Sequence, residues 1–453
     1  MTAGQLILFI LVFLTFFSAR SDTSVSEWSI AIENSKSVFA RETCKIRYTC
    51  TWRHPTSMLQ VCGFFEESAL FVSDVFQRYL CESQQSEGGE TVDGPPFYDR
   101  LMVFADDGQD DKTHCGIGCR FMRLTMAFWQ ALHDESMLVS APKGSWTYTH
   151  VSECPSRNEE CYFQPLSKDT THTWNVDSVA LDALQTTRTN SLGNLKTLFQ
   201  SADMTLWTRS SLDAFRYQHN FGQSWLNELP NFTQTYGKSG CWFAGQLLYF
   251  LLSPNKQMNE RLLAEKRRLN WESSGRDCIA VHVRHGWRAR FNARLTMKDF
   301  MKSIRRYQSR NVLLITEDQS VIDDAKQNFP EYNWMYTNYP RDNKHDIGIA
   351  MEKGEIDPTP EAINALLNLY LSSECRYHVG RVNSTWFRLM IMLAYGRYGT
   401  MPLFDNLQED WGHGGVHKWG FFGMCTLREV RKEVAILKKQ FPSVVSMDLS
   451  KIV

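Results

Sequence analysis

From Cys278 onward the chain alternates short, unbroken apolar runs with amphipathic ones. CIAVHV (278–283), NVLLIT (311–316), NWMYT (333–337) and RYHVG (376–380) lack the every-second-residue polar spacing of a half-exposed strand. Each therefore predicts a strand buried on both faces. Between them, MKDFMKSIRRY, SVIDDAKQNFP, EAINALLNLYLSS and NSTWFRLMIMLAYG carry the apolar spacing of helices. Thr359-Pro360-Glu361 predicts the start of the third helix, with an N-cap, a proline at N1 and an acid in the first turn. Repeated strand–helix units of this kind imply an α/β fold whose parallel sheet is covered on both faces.

Upstream the pattern is similar but looser. LMVFAD predicts a strand, a glycine-containing loop feeds a helix over about 120–133, and 136–140 reads as a second strand. GCWFAGQLLYFLLSPNKQMNERLLAEKRRLNWE predicts two helices broken near Ser253-Pro254, the first buried and the second with a solvated charged face. Residues 167–205 are polar, threonine-rich and read as irregular. Near the start, 27–42 and 67–80 predict helices, and Cys81–Asp99, rich in Gly, Pro, Ser and acid, reads as a linker. The expected organisation is a terminal segment (1–20), a helical stem and linker (21–100), an N-terminal open α/β domain (101–265), a Rossmann-like domain (266–410) and an extension (411–453).

The first segment changes the picture of where the chain resides. LILFILVFLTFF (6–17) is shorter than the roughly 20 apolar residues that span a bilayer. It fits a signal peptide, with Ala19 as a cleavage position, or a short signal anchor, although no Lys or Arg precedes it. The twelve cysteines, eight of them before residue 165, agree with an oxidising lumen. Asn231-Phe-Thr233 and Asn383-Ser-Thr385 are N-glycosylation sequons, and Asn231, in a polar loop, is the expected acceptor. A Golgi or other secretory-pathway membrane location with a lumenal body follows, or secretion if the segment is cleaved.

Charge narrows the chemistry. A net charge of −1 gives nucleic-acid binding no support. Neither GxGxxG nor a phosphate-binding GxxxxGK[ST] loop is present, which excludes the common dinucleotide and ATP signatures. No Asp-x-Asp follows an apolar strand, so no metal site is expected. Ligands of open parallel sheets bind beyond the carboxyl ends of the strands. There the chain places His282, Arg284, His285 and Arg288, then Thr316, Glu317 and Asp318, then Gly380, Asn383, Ser384 and Thr385 at the next helix start. Arginines beside a helix N-terminus suit a diphosphate.

Several segments resemble the eukaryotic alpha-1,6-fucosyltransferases that act on the N-glycan core. CIAVHVRHGWRAR is similar to that family's VHVRR region, LLITEDQSVIDDAKQNFPEY to its strand–acid–acid–helix segment, and LLNLYLSSECRYHVGRVNSTWFRLM to its third motif. HCGIGCR, CYFQPLS and CWFAGQLLYFLLSP have counterparts too, in the same order, over roughly 110–405. The resemblance implies a GT-B-like fold of two α/β domains, no cofactor or metal, GDP-fucose as donor and a glycan or glycoprotein as acceptor. It implies that His282 and Arg284 face the diphosphate, that Glu317 and Asp318 lie near the nucleoside, and that Ser384 and Thr385 flank the phosphates; Arg288 and Asn368 are further donor-binding candidates. It also implies a Cys115–Cys119 disulfide. Membrane contact would run through the N-terminal segment.

The chain departs from the family where catalysis would occur. His285 replaces an arginine, Trp287 and Arg288 replace an Asp-Lys pair, Asn368 replaces an aspartate, and no carboxylate stands between Gly286 and Asp299, where the family's base falls. Arg284 and His285 are the catalytic candidates, with Asp342 and Asp346 as other proton acceptors. Two readings stay open. One is inverting fucosyl transfer. The other is a sugar-nucleotide or glycan-binding protein, or a transferase with another donor, on the same scaffold.

Overall fold

The computed structural model describes residue 80 and residues 101–104, 117–133, 137–140, 148–156, 158–166, 204–207, 240–274, 277–285, 295–341, 351, 355–382 and 384–407. The terminal apolar run, the stem apart from residue 80, the C-terminal extension, Arg288, Cys115, Asn231 and the Asp342 and Asp346 loop lie outside them.

A three-stranded parallel sheet comprises β1 (Leu101–Phe104), β2 (Met137–Ser140) and β3 (Met204–Trp207), in the order β2-β1-β3. Helix α1 (Ile117–His133) connects β1 to β2. It starts three residues earlier than the sequence predicts, so Gly118 lies inside the helix. A side chain at Gly118 would meet Leu389 at 3.0 Å and Thr385 at 3.3 Å, so close approach to another helix decides the residue. Strand β3 begins at the end of the threonine-rich stretch expected to be irregular and runs two residues past it; MTLW is too short to signal itself.

Two helices follow, α2 (Gly240–Leu251) and α3 (Lys256–Arg268), broken at Ser253-Pro254 as expected, then a single turn α4 (Trp271–Ser274). The remaining elements are β4 (Cys278–Val283), α5 (Met297–Ile304), β5 (Asn311–Thr316), α6 (Gln319–Asn328), β6 (Asn333–Met335), α7 (Pro358–Ser372), β7 (Tyr377–Gly380), α8 (Thr385–Tyr398) and β8 (Leu403–Asn406). The sheet order is β6-β5-β4-β7-β8, with every pair parallel. This is the 3-2-1-4-5 order of a doubly wound sheet. Strand β8 is not legible in the sequence, because Asp405 and Asn406 break its apolar run. Asp405 is buried instead against Arg306.

Continuous apolarity has its expected cause. Alternate residues of β4 enter different cores: Cys278 and Ala280 face α7 and α8, whereas Ile279, Val281 and Val283 face α5 and α6. Helix α8 is buried almost all round, because α2 packs on its outer side. A side chain at Gly396 would meet the Gly245 carbonyl at 2.1 Å, so these two helices cross at glycine backbones. Helix α7 begins two residues before the sequence expectation. Asp357 caps it through Thr359 N at 2.9 Å, and Pro358 takes N1. Aspartate-proline supplies the same cap-and-proline signal as threonine-proline, so the two possible starts are alike in sequence.

Candidate functional site

The carboxyl ends of β4 and β7 form the point where strand order reverses, which is where open α/β sheets bind ligands. The structure brings His282, Arg284, Ser384 and Thr385 to this point. His282 is the penultimate residue of β4 and is 4% exposed. Burial, then the neighbouring Arg284 charge, lowers its pKa to about 3, so the ring is neutral at physiological pH. Its ring lies parallel to that of Phe387, 6.5 Å away. Phe387 reaches that place because Gly380 has no side chain; a Cβ there would meet the ring at 2.5 Å. The His282 Nδ1 is buried with no hydrogen-bond partner. A buried polar atom left unpaired costs about 1–3 kcal/mol.

Arg284 follows His282 at the exit of β4. It stands just past the strand end with its side chain 47% exposed, not within the buried part of β4. Its Nε is 3.7 Å from Glu317 Oε1. The same carboxylate oxygen accepts the His285 backbone N–H at 3.0 Å. Glu317 therefore secures the chain as it leaves β4 and leaves most of the guanidinium outward.

His285 is held on both sides. Its Nε2 donates to the Leu295 carbonyl at 2.8 Å, and its Nδ1 meets Asp318 Oδ2 at 2.9 Å. Neither nitrogen is open to take a proton from a substrate. Asp318 is fully buried and is the N-cap of α6. Its Oδ1 accepts the Ser320 N–H at 2.9 Å and the Ser320 hydroxyl at 2.6 Å. The acidic pair, expected near a nucleoside, thus pins the β4 exit to β5 and α6.

Asn368 is also buried, on α7. Its Nδ2 donates to Thr337 Oγ1 at 3.1 Å and the Asn364 carbonyl at 2.9 Å. Arg341 lies beside it. That guanidinium donates to the carbonyls of Thr316 (3.0 Å), Tyr339 (2.7 Å) and Thr337 (2.8 Å), and so ties together the ends of β5 and β6. Burial lowers the Arg341 pKa from its ordinary value. Sequence reasoning missed this residue. An arginine in a polar loop carries no signal of burial until the loop is folded over the strand ends.

Ser384 holds the N-cap position of α8 without a side-chain capping hydrogen bond, and the Thr385 hydroxyl accepts from Arg388 at 3.2 Å. Burial takes the Arg388 pKa down to about 10. Gly118 of the HCGIGCR segment packs on Thr385, so two motifs far apart in the chain meet at the α8 N-terminus.

The family described as alpha-(1,6)-fucosyltransferase N- and catalytic domains matches residues 111–339, half of the chain. The chain belongs to this family. The match takes in β4, β5 and β6 and stops before β7. An alpha-(1,6)-fucosyltransferase of Drosophila melanogaster is 26% identical over 114 residues. The match spans 23% of this chain and only 18% of that protein's length. Among solved structures, NodZ alpha-1,6-fucosyltransferase soaked with GDP-fucose is similar at 17% identity and a TM-score of 0.37, covering 65% of this chain and 93% of that one. Fucosyltransferase NodZ from Bradyrhizobium is similar at 16% identity and the same TM-score, covering 69% and 97%. Scores that low leave the fold to be argued from strand order, as above. Membership of the family turns the cluster at the switch point into a candidate donor site.

Two disulfides lie among the described residues. Cys154–Cys161 closes a short loop, and Cys278–Cys375 joins the start of β4 to the turn before β7. Neither pairing is readable from spacing, since the second spans 97 residues. Among the described residues no group of His, Cys, Asp or Glu is placed to hold a metal ion. None of their helices is long and apolar enough to cross a membrane.

Proposed function

We propose that the protein transfers fucose from GDP-fucose to a hydroxyl of a glycan acceptor, with inversion. The observation that carries this is the unpartnered, buried Nδ1 of His282 beside the outward Arg284, at the switch point of a sheet in an alpha-(1,6)-fucosyltransferase family member. His282, kept neutral by burial, donates Nδ1–H to a diphosphate oxygen. Arg284 neutralises the charge that grows as the diphosphate departs, together with the N-terminus of α8 at Ser384 and Thr385. Arg288, close behind in the sequence, is a further candidate for the same charge. Asn368 borders the nucleoside side, and Glu317 and Asp318 hold the loop in place.

The two parallel sheets support a GT-B-like plan, with an N-terminal domain of 101–265 and a donor domain of 266–410. Family membership supports a secretory-pathway location, with residues 1–20 as signal or anchor. It also supports turnover without a metal, since cationic side chains take the diphosphate charge.

One observation favours a second reading, a sugar-nucleotide-binding protein without turnover. His285, the nearest side chain of the motif able to accept a proton, has both nitrogens engaged. The test is thermal-shift and calorimetric binding with a panel of sugar nucleotides, followed by transfer to a glycan array with the tightest donor. GDP-fucose as the tightest ligand and fucose transfer that persists in EDTA are expected. Tight GDP-fucose binding with no transfer to any acceptor selects the second reading, and no binding of GDP or GDP-fucose ends both.

A further inference from the structure

The start of α8, beside the switch point, is also where α1 arrives. A side chain at Gly118 of α1 would stand 3.0 Å from Leu389, 3.3 Å from Thr385 and 3.5 Å from Cε3 of Trp386. Thr385, Trp386 and Leu389 therefore form the face of α8 turned to α1. The next residue, Phe387, points about 100° further round the helix. It fills the space at Gly380 and lies over His282 instead, its ring 6.5 Å from the histidine's. The first turn of α8 thus carries two neighbouring aromatic residues with different surroundings. One closes over the neutral histidine. The other stands where the two helices meet.

Trp386 is unlike the other tryptophans whose surroundings are described. Trp129, Trp242 and Trp271 are 3% exposed or less. Trp334 is partly buried, and its Nε1 donates to the Phe329 carbonyl at 2.8 Å. Trp386 is partly buried against the hydrophobic core, but among the described residues its indole N–H meets no acceptor. A tryptophan that serves packing alone buries its ring and satisfies its N–H. One that keeps part of the ring exposed and the N–H uncommitted offers an apolar face and a donor together, which is what a sugar ring needs: a surface for its C–H bonds and a partner for a hydroxyl.

We propose that the Trp386 indole carries the fucosyl ring of the donor, with an apolar face of the sugar laid on the aromatic ring and Nε1–H donating to a sugar hydroxyl. The proposal rests on the fucosyl-transfer reading above and deepens it. In that reading the N-terminus of α8 receives the diphosphate, and Trp386 is the second residue of α8, so a pyranose linked to the β-phosphate begins beside the same turn. Fucose is a 6-deoxy sugar. Its methyl group replaces a hydroxymethyl and adds apolar surface that an indole can cover. His282 and Arg284 then recognise the diphosphate, whereas Trp386 recognises the sugar and orients its anomeric carbon. No bond or proton changes hands at Trp386; it is a substrate-binding residue.

The experiment is calorimetric titration of GDP and of GDP-fucose into wild type, Trp386→Phe and Trp386→Ala, with circular dichroism and thermal melts as folding controls. In Trp386→Ala, GDP-fucose should bind about 10-fold more weakly while GDP stays within about twofold of wild type. Trp386→Phe keeps an aromatic face and loses the N–H, so its GDP-fucose affinity should fall between the two. Equal weakening of both ligands means that the indole only holds α1 against α8 and overturns the proposal, as does unchanged GDP-fucose affinity in Trp386→Ala. If the alanine variant does not fold, the phenylalanine variant decides: a loss confined to GDP-fucose supports the proposal, and equal losses or none overturn it. These results leave the fucosyl-transfer reading intact when wild type binds GDP-fucose and turns it over. A wild type that binds neither ligand removes that reading first, and this proposal with it.

Discussion

At the amino-terminal end of the large sheet, Glu374 is 6% exposed and meets Lys266 at 2.5 Å, Arg397 at 3.1 Å and Trp271 Nε1 at 2.7 Å. At the carboxyl end, Arg284 is half-exposed beside Glu317, and His282 buries an unpaired nitrogen. Both ends hold charged groups from several elements. At the first, each charge meets an opposite charge of the same chain, so the set is complete without a ligand. At the second, Arg284 is left half-exposed and a buried His282 nitrogen is left without a partner, while the acids are spent on fixing loops. A complete cluster is a matter of stability, and an incomplete one at a switch point is a matter of binding.

The sharpest way to separate the two ends is Glu374→Ala. It strands Lys266 and Arg397 without their anion, which costs about 3–5 kcal/mol of folding free energy. Urea unfolding should show that loss, and calorimetry on the folded protein should show GDP affinity unchanged. The pH dependence carries the same signature. Burial alone would raise the Glu374 pKa, but Arg397 and Lys266 overrule it and hold it below its ordinary value of 4.5. Its contribution is therefore complete above about 4.5 and is lost as pH falls through the lowered folded value.

Replacing Cys278 and Cys375 together by alanine removes the bond between the start of β4 and the turn before β7. The expected cost is about 2–5 kcal/mol, again with little change in GDP affinity. A large loss of binding would mean that the two ends are coupled through β4 and would blur the comparison.

Arg284→Ala should do the reverse. Its exposed pair with Glu317 contributes about 0–1 kcal/mol to stability. A charge-assisted contact to phosphate is worth about 1.5–3 kcal/mol, so GDP should bind roughly 10- to 150-fold more weakly. Lysine cannot restore a bidentate contact, so Arg284→Lys should recover only part of this loss. Wild-type GDP affinity in Arg284→Ala would remove this residue from the proposed donor site.

His282 gives a finer test. Its folded pKa of about 3 lies below the ordinary 6.5, so the unfolded chain takes up a proton first as pH falls. Stability should decline from about pH 6.5 toward 3, with a slope from this residue of at most about 1.4 kcal/mol per pH unit. His282→Gln should flatten part of the decline in thermal melts; the remainder belongs to His378, which is buried with a pKa of about 4. The smallest effect expected is that of Arg305→Ala. That side chain stacks over Phe329 at 5.9 Å beyond the end of α5, remote from both clusters, and GDP affinity should not move.

Much of the fold was legible because its signals are local. The strands 278–283 and 311–316 coincide with their apolar runs, since burial on both faces leaves no polar position to blur the edges. Strand β8 was not legible, because Asp405 is tolerated in a strand only through its long-range contact with Arg306. The candidate site divides in the same way. Residue types at the strand ends place His282, Arg284 and Ser384 at one edge of the sheet, because chain order and strand direction alone put them there. What each does depends on neighbours distant in the chain. The burial of His282 under Phe387, the exposure of Arg284 and the double engagement of His285 arise only when strands and helices pack. A residue's type and local spacing set what chemistry it is able to offer. Partners brought from 30 to more than 100 positions away set whether that chemistry is spent inside the protein or left open to a substrate.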